Sequence, residues 1–141
     1  MKLSKWLAAA LCALSLLGAG GAFAKDTKKA PNEYPNATRA EPKVEMSTGD
    51  QRDLNKAADL VNADKAAEAQ PLVEKVLANG HASKYAQAFA HQLLGQIYYD
   101  EDKDNSERAI AEYRKATDLD AMPNAAQFQI IYSIAQLQLQ D

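Results

Sequence analysis

From Asp50 onward, apolar residues recur every three or four positions, which is the period of an amphipathic α-helix. No stretch shows the sustained apolar–polar alternation of a strand, and Ala, Leu, Glu, Lys and Gln, which favour helices, are frequent. The pattern therefore predicts an all-α fold. Five helices are expected, over residues 50–63, 65–78, 82–99, 105–118 and 124–140.

Short polar segments separate these helices. Asn79-Gly80 predicts a left-handed residue just after the second helix, since Gly and Asn adopt that conformation readily. Asn105-Ser106 predicts the N-cap of the fourth helix. Pro123 is expected in the first turn of the fifth helix, where a missing N–H is tolerated.

The first 24 residues have the pattern of a secretory signal peptide. Lys2 and Lys5 precede the apolar run Leu7–Leu17, and Ala22-Phe23-Ala24 supplies a small-residue cleavage site. The run is about half the roughly 20 residues that span a bilayer. We therefore expect cleavage after Ala24 and no membrane span in the mature chain.

Cleavage would leave residues 25–141, with no cysteine and a formal net charge of −5 instead of −3, because Lys2 and Lys5 are removed. An exported chain without disulfides relies on packing alone, and a bacterial periplasm is the predicted location. The acidic balance argues against nucleic acid as a partner. Residues 25–49 contain three prolines and few aliphatic residues, so this segment is expected to be a flexible leader before a domain at 50–141.

The clearest motif spans two helices. It consists of Leu94-Gly95 and Tyr98, followed by Ala109, Tyr113 and Ala116. It resembles a tetratricopeptide repeat (TPR), in which small residues let paired helices approach closely and aromatic residues fill the space beside them. His91 stands where that family usually has Trp.

Two other segments resemble parts of the same repeat. Residues 50–78 form a weaker copy, and 127–140 resemble a first helix without its second, so the resemblance implies a solenoid of about two and a half repeats. The last helix has an apolar stripe with no covering helix. This favours a fragment of a longer array, the alternative being that the fifth helix is the cap.

A more specific resemblance covers roughly residues 50–141. Its motifs are Tyr85-Ala86-Gln87, Leu94-Gly95-Gln96-Ile97-Tyr98-Tyr99, Ala121-Met122-Pro123 and Tyr132-Ser133-Ile134-Ala135-Gln136-Leu137. They are similar to segments of exported repeat proteins associated with TonB-type energy-transduction systems of Gram-negative bacteria. The resemblance implies a role beside an envelope transport or energy-transduction complex.

Residues able to carry chemistry are few. The serines lack the settings of known nucleophiles, and His81 and His91 lack the spacing of a metal pair, so we predict no enzyme, catalytic residue, metal or cofactor. The segment Asp100–Ser106 has acidic residues at the spacing of the first calcium-loop ligands, but Asn105 and Ala111 stand where Gly and Glu are required. A solvated turn is favoured, and a calcium-responsive binder is the less favoured alternative.

The TPR resemblance implies that the first helix of each pair lines a concave groove in which a partner protein lies. The groove would be mostly neutral and rich in amides. The predicted function is a periplasmic protein–protein interaction scaffold with an envelope partner, and the alternative is a structural module that self-associates through its fifth helix. The twelve predicted groove residues are Arg52, Asn55, Asp59, Asn62, Phe89, Gln92, Gln96, Tyr99, Gln129, Tyr132, Gln136 and Leu139.

Overall fold

The computed structural model describes residues 36–101 and 106–139, all within the unit Glu33–Asp141. These residues contain no strand, which confirms the all-α prediction. The helices begin and end within two residues of their predicted limits. They are α1 (Thr48–Asn62), α2 (Ala66–Leu77), α3 (Lys84–Glu101), α4 (Glu107–Asp118) and α5 (Asn124–Gln138). The predicted signal peptide, residues 1–24, lies outside the described residues.

Helix α3 is at the centre of the packing. It contacts α1, α2 and α4, whereas α1 also packs on α2 and α5 packs on α4. Seven of its 18 residues are buried, because three neighbouring helices cover most of its circumference. Within the described part of the chain, no helix is long and apolar enough to cross a membrane.

The apolar stripes read from the sequence form two buried clusters. The first joins α1, α2 and α3 and includes Leu54, Val73, Val76 and Ile97. The second joins α4 and α5 to one side of α3. Its members are Ala88, Ala109, Ile110, Tyr113, Ala116, Ala121, Met122, Ala126, Ile130 and Leu137.

Two aromatic side chains connect these clusters. Phe89 and Tyr98, both on α3 and both partly buried, pack against the first and the second cluster. Arg108 of α4 lies over the Tyr98 ring, with its guanidinium carbon 3.8 Å from the ring centroid. A cation at this distance is attracted by the negative face of the ring. Tyr98 therefore adds a contact between α3 and α4 to its role in packing.

Gly95 lies where α3 and α4 approach each other closely. A Cβ atom at this position would lie 2.6 Å from Cε1 of Tyr113 and 3.2 Å from the carbonyl oxygen of Ala109. Tyr113 is itself buried, and its burial raises the pKa of its hydroxyl far above the usual value. The ring cannot move aside freely, so the approach depends on a residue without a side chain.

The predicted left-handed turn at Asn79-Gly80 is wrong, since no glycine among the described residues has a positive φ. The side chain of Asn79 shapes this turn instead. Its Oδ1 accepts a hydrogen bond from the N–H of His81, and its Nδ2 donates to Asp50. The left-handed residues are Asp64, after α1, and Asp120, after α4. Asp tolerates this conformation better than most residues with a side chain.

The N-terminal ends of α4 and α5 differ in detail from the sequence prediction. Ser106 is the N-cap of α4, but its side chain makes no capping hydrogen bond. Pro123 precedes α5 as its N-cap and lies outside the helix, one position earlier than expected. The first N–H of α5, that of Asn124, donates to Oε1 of Glu41, a residue more than 80 positions away.

Residues 36–47 have no helix or strand and run across the ends of the helices. Arg39 donates to Asp120 at 2.6 Å and to Oδ1 of Asn124 at 2.7 Å. The carbonyl of Glu45 accepts from Ser83, just before α3, and Ser47 caps α1. The segment thus meets the starts of α5, α3 and α1 in that order, and we call residues 39–47 the strap.

Candidate protein-binding groove

The α1 part of the predicted groove is a fully exposed row. Arg52, Asn55, Asp59 and Asn62 lie on the side of α1 opposite to its buried residues. This separation follows from the amphipathic sequence, because the apolar positions of α1 all fall on the face that packs against α2 and α3. The row carries the only two charges of the predicted groove residues, Arg52 and Asp59.

The α3 part of the predicted groove is half-buried. It consists of Phe89, Gln92, Gln96 and Tyr99, none of which is charged. Phe89 stacks on Tyr85 with ring centroids 6.4 Å apart, and Tyr99 packs against the second cluster. Because both rings already pack against neighbouring side chains, they lose little freedom when another chain binds them.

The α5 part of the predicted groove is more exposed than the α3 part. Gln129 and Gln136 are half-buried, and Nε2 of Gln136 donates to the hydroxyl of Tyr132 at 3.1 Å. The side chain of Tyr132 is 63% exposed and that of Leu139 is 88% exposed. Large apolar side chains at this exposure are free to contact another molecule.

The three rows do not all lie on helices that pack against one another. The α1 and α3 rows lie on helices that pack against each other. The α5 row lies on a helix whose main neighbour is α4, although Tyr85, Ala88 and Phe89 of α3 join the same buried cluster as α5. The α1 and α3 rows therefore lie on helices in direct contact, whereas the α5 row lies one helix further away.

An ion pair borders the α1 row. Nζ of Lys75 on α2 donates to Oδ2 of Asp53 at 2.6 Å, and Arg52 lies 3.4 Å from the other carboxylate oxygen. The hydrogen bond from Lys75 lowers the pKa of Asp53, against the opposing effect of desolvation, and both cations add to the lowering. Asp53 thereby links α2 to the Arg52 end of the row.

A second polar cluster lies between α3 and α4. Nδ1 of His91 is 2.7 Å from Oε2 of Glu112, and Nζ of Lys115 donates to the other carboxylate oxygen at 2.6 Å. His91 is half-buried, as a packing residue at this position should be. The cluster is a satisfied contact between helices, because both oxygens of the buried carboxylate have partners.

Sequence reasoning missed Glu112, although a signal was present. Glu112 lies on the same stripe of α4 as Ala109, Tyr113 and Ala116, where a buried carboxylate requires a partner. It also missed Arg39 and Glu41, whose partner Asn124 at the start of α5 is more than 80 residues away in the chain. No local pattern could have indicated these two contacts.

The acidic turn that could hold calcium is only partly described. Asp102 and Asp104 lie outside the described residues. Asp100 is exposed at the end of α3, and Glu101 lies 3.7 Å from Arg108. Across residues 36–101 and 106–139, no group of three or more potential ligands could hold a metal ion.

Comparison of the chain with protein-family models, with curated proteins and with solved structures finds no match. Function therefore has to be argued from the groove and from the repeat motif in the sequence.

Proposed function

We propose that this chain is a TPR-like adaptor of a bacterial periplasm that holds an extended segment of an envelope protein in the groove formed by α1, α3 and α5. No bond is made or broken. In this proposal α1 with α2 and α3 with α4 are two repeats, α5 is the first helix of a third, and the partner belongs to a transport or energy-transduction complex.

The observation that carries the proposal is that three rows at equivalent helix positions keep accessible surface, although to different degrees. On α1, α3 and α5, none of the residues at positions i, i+3, i+7 and i+10 of each row is fully buried, although Phe89 and Tyr99 pack against the core. On α3 this occurs even though three other helices cover it. Amides can both donate to and accept from a peptide backbone, and the aromatic rings supply contact area.

The packing between helices supports the repeat assignment. Gly95 lies against Tyr113 and the carbonyl of Ala109, which are the positions that the TPR motif reserves for close approach. The order of contacts also fits stacked pairs, because α3 packs on both helices of the preceding pair and on its own partner α4.

Location is the part of the proposal that depends on the N-terminal segment. If the segment 1–24 is a signal peptide, protein recovered from the periplasmic fraction will begin at Lys25. Intact-mass measurement of that fraction tests this directly. A chain that retains Met1 and stays in the cytoplasm would contradict the periplasmic role without bearing on the groove.

The groove is tested with a matched pair of glutamine variants. Gln96→Ala removes an amide from the centre of the α3 row, and Gln70→Ala makes the same change on α2, outside the groove. The unaltered protein and both variants are used to capture crosslinked proteins from the periplasm. The partner captured by the unaltered protein is then purified and titrated with each form.

We expect Gln96→Ala and Tyr99→Ala to weaken binding about tenfold or more, as a central contact in an interface does, and Gln70→Ala to leave it unchanged. Thermal unfolding of each variant separates lost contacts from lost folding, since Tyr99 also packs against the second cluster. Equal binding by all forms would exclude the groove as the binding surface.

A further inference from the structure

Helix α5 differs from the other described helices in charge. Each of α1 to α4 carries at least three charged residues, whereas α5 carries none along its 15 residues. Its buried residues, among them Ala126, Ile130 and Leu137, face α4 and the second cluster. The opposite side is apolar and exposed, which is uncommon for the outer face of a helix at a protein surface.

Four residues form the centre of this outer face, and we call them the α5 seam. They are Phe128, Tyr132, Ala135 and Leu139. Phe128 is half-buried and the other three are exposed. The flanking positions are also uncharged, with Ile131 (48% exposed) and Gln138 on one side and Gln129 and Gln136 on the other.

We propose that the α5 seam binds the α5 seam of a second copy of this chain, with the two helices antiparallel. The seam residues are separated by four, three and four positions, which is the spacing of two helices that pack side by side. This spacing reads the same in both directions. An antiparallel copy therefore meets the seam in register around a two-fold axis.

Side-chain size favours this register. In the antiparallel pair Tyr132 lies opposite Ala135 of the other copy, so that a large side chain meets a small one twice. Phe128 lies opposite Leu139. A parallel pair would place Tyr132 against Tyr132 and Ala135 against Ala135, which crowds one layer and leaves the next underfilled.

The uncharged residues beside the α5 seam favour a second copy of this chain over a helix of another protein. A two-fold contact requires a self-complementary surface, because each residue meets the same surface on the other copy. Glutamine satisfies this requirement, since its amide both donates and accepts, whereas a charged flank would repel its own copy. Charged flanking residues normally select a different partner, and α5 has none.

The pair is expected to be weak. The seam runs over 12 residues from Phe128 to Leu139, or about 17 Å of helix, and one such face buries less than the roughly 1,200 Å² of a stable interface. The dimer should therefore form at high protein concentration and dissociate on dilution. The dimer does not require a partner in the groove, but Tyr132 and Leu139 belong to both surfaces, so dimer formation should compete with a partner for the α5 part of the groove.

The test measures the mass of the purified protein by sedimentation equilibrium over a hundredfold range of concentration. Ala135→Glu places a charge at the centre of the seam without altering a groove residue. Ala67→Glu makes the same change at an exposed site on α2. We expect the unaltered protein and Ala67→Glu to shift from monomer to dimer, and Ala135→Glu to remain monomeric.

A charge-pairing experiment shows whether the contact is between two copies of the seam. Ala135→Lys alone should also remain monomeric, and mixing it with Ala135→Glu should restore the dimer, because the two side chains then lie within one helical turn of each other. An unaltered protein that stays monomeric throughout, or a dimer that Ala135→Glu does not affect, would overturn the proposal.

Discussion

Gly95 shows how one residue sets the distance between two helices. The space that a methyl group would need is already occupied by the ring of Tyr113 and the backbone of Ala109. The helix would otherwise favour alanine at this position by about 1 kcal/mol. Glycine is therefore kept for packing, at a cost in local helix stability.

Gly95→Ala should lower the free energy of unfolding. Overpacking a core typically costs about 1–3 kcal/mol, which exceeds the gain in helix propensity. We expect a net loss of about 1 kcal/mol or more in urea titrations. Gly80→Ala is the control, because no atom lies within 4 Å of a Cβ there and its φ is not positive. Equal effects of the two substitutions on the free energy of unfolding would show that the close approach at Gly95 does not cause the loss of stability.

The pair of Asp53 and Lys75 should make stability depend on pH. Lys75 holds the pKa of Asp53 below 3.8, so the ionised pair stabilises the fold above that pH and the contribution is lost as the pH falls through the lowered pKa. Lys75→Ala should therefore lower the Tm at neutral pH. The difference in Tm between the variant and the unaltered protein should disappear at acidic pH. Lys56→Ala, on the exposed face of α1, should show no such convergence.

At the scale of elements, the N-terminal end of α5 is stabilised by residues that lie outside the helix. Pro123 provides no side-chain cap, and α5 has no acidic residue in its first turn. Glu41 on the strap accepts the hydrogen bond from the first N–H and places a negative charge at the positive end of the helix dipole. Arg39 adds bonds to Asp120 and Asn124.

Glu41→Gln should destabilise the start of α5. It removes the charge from the cap while keeping an oxygen that can accept, so we expect a loss of up to about 1 kcal/mol. Hydrogen exchange should accelerate at the amides of the first turn of α5 and not in α1. Lys43→Ala, an exposed change in the same segment, should leave both rates unaltered. Unchanged exchange in Glu41→Gln would mean that α5 is capped in another way.

The number, type and limits of the helices could be predicted because they depend on local periodicity. The turn after α2 could not, since Asn79 is held by Asp50 on another helix and its hydrogen bonds replace the left-handed glycine. The contacts of the strap with the helices could not be predicted either, because Arg39 and Glu41 lie in a segment without periodicity. The rows assigned to the groove remain a prediction, and no local pattern could indicate that α5 packs mainly on α4.

At the scale of the whole molecule, two aromatic residues join what would otherwise be separate cores. Phe89 and Tyr98 are the side chains through which the clusters of the first three helices and of the last two meet on α3. Parts of a fold unfold as one cooperative unit only when enough contacts join them. The two clusters should therefore unfold together only while these contacts persist.

Tyr98→Ala should weaken this coupling. We expect it to lower the free energy of unfolding by roughly 2 kcal/mol, less than full burial would give, and to broaden the urea transition as the clusters begin to unfold separately. The equivalent change at exposed Tyr132 should alter neither property. A sharp urea transition in Tyr98→Ala would show that other contacts couple the two clusters.

The strap has a consequence for the order in which the fold is completed. The residues that hold α5 are separated from their partners by 81 and 85 positions, whereas each helix otherwise meets neighbours close to it in the chain. Long loops close slowly compared with adjacent helices. During synthesis, Arg39 and Glu41 emerge first, but their partners Asp120 and Asn124 are made more than 80 residues later. The helices can therefore assemble progressively from the N-terminal side, and the earliest part of the domain to be made is the part that closes it last.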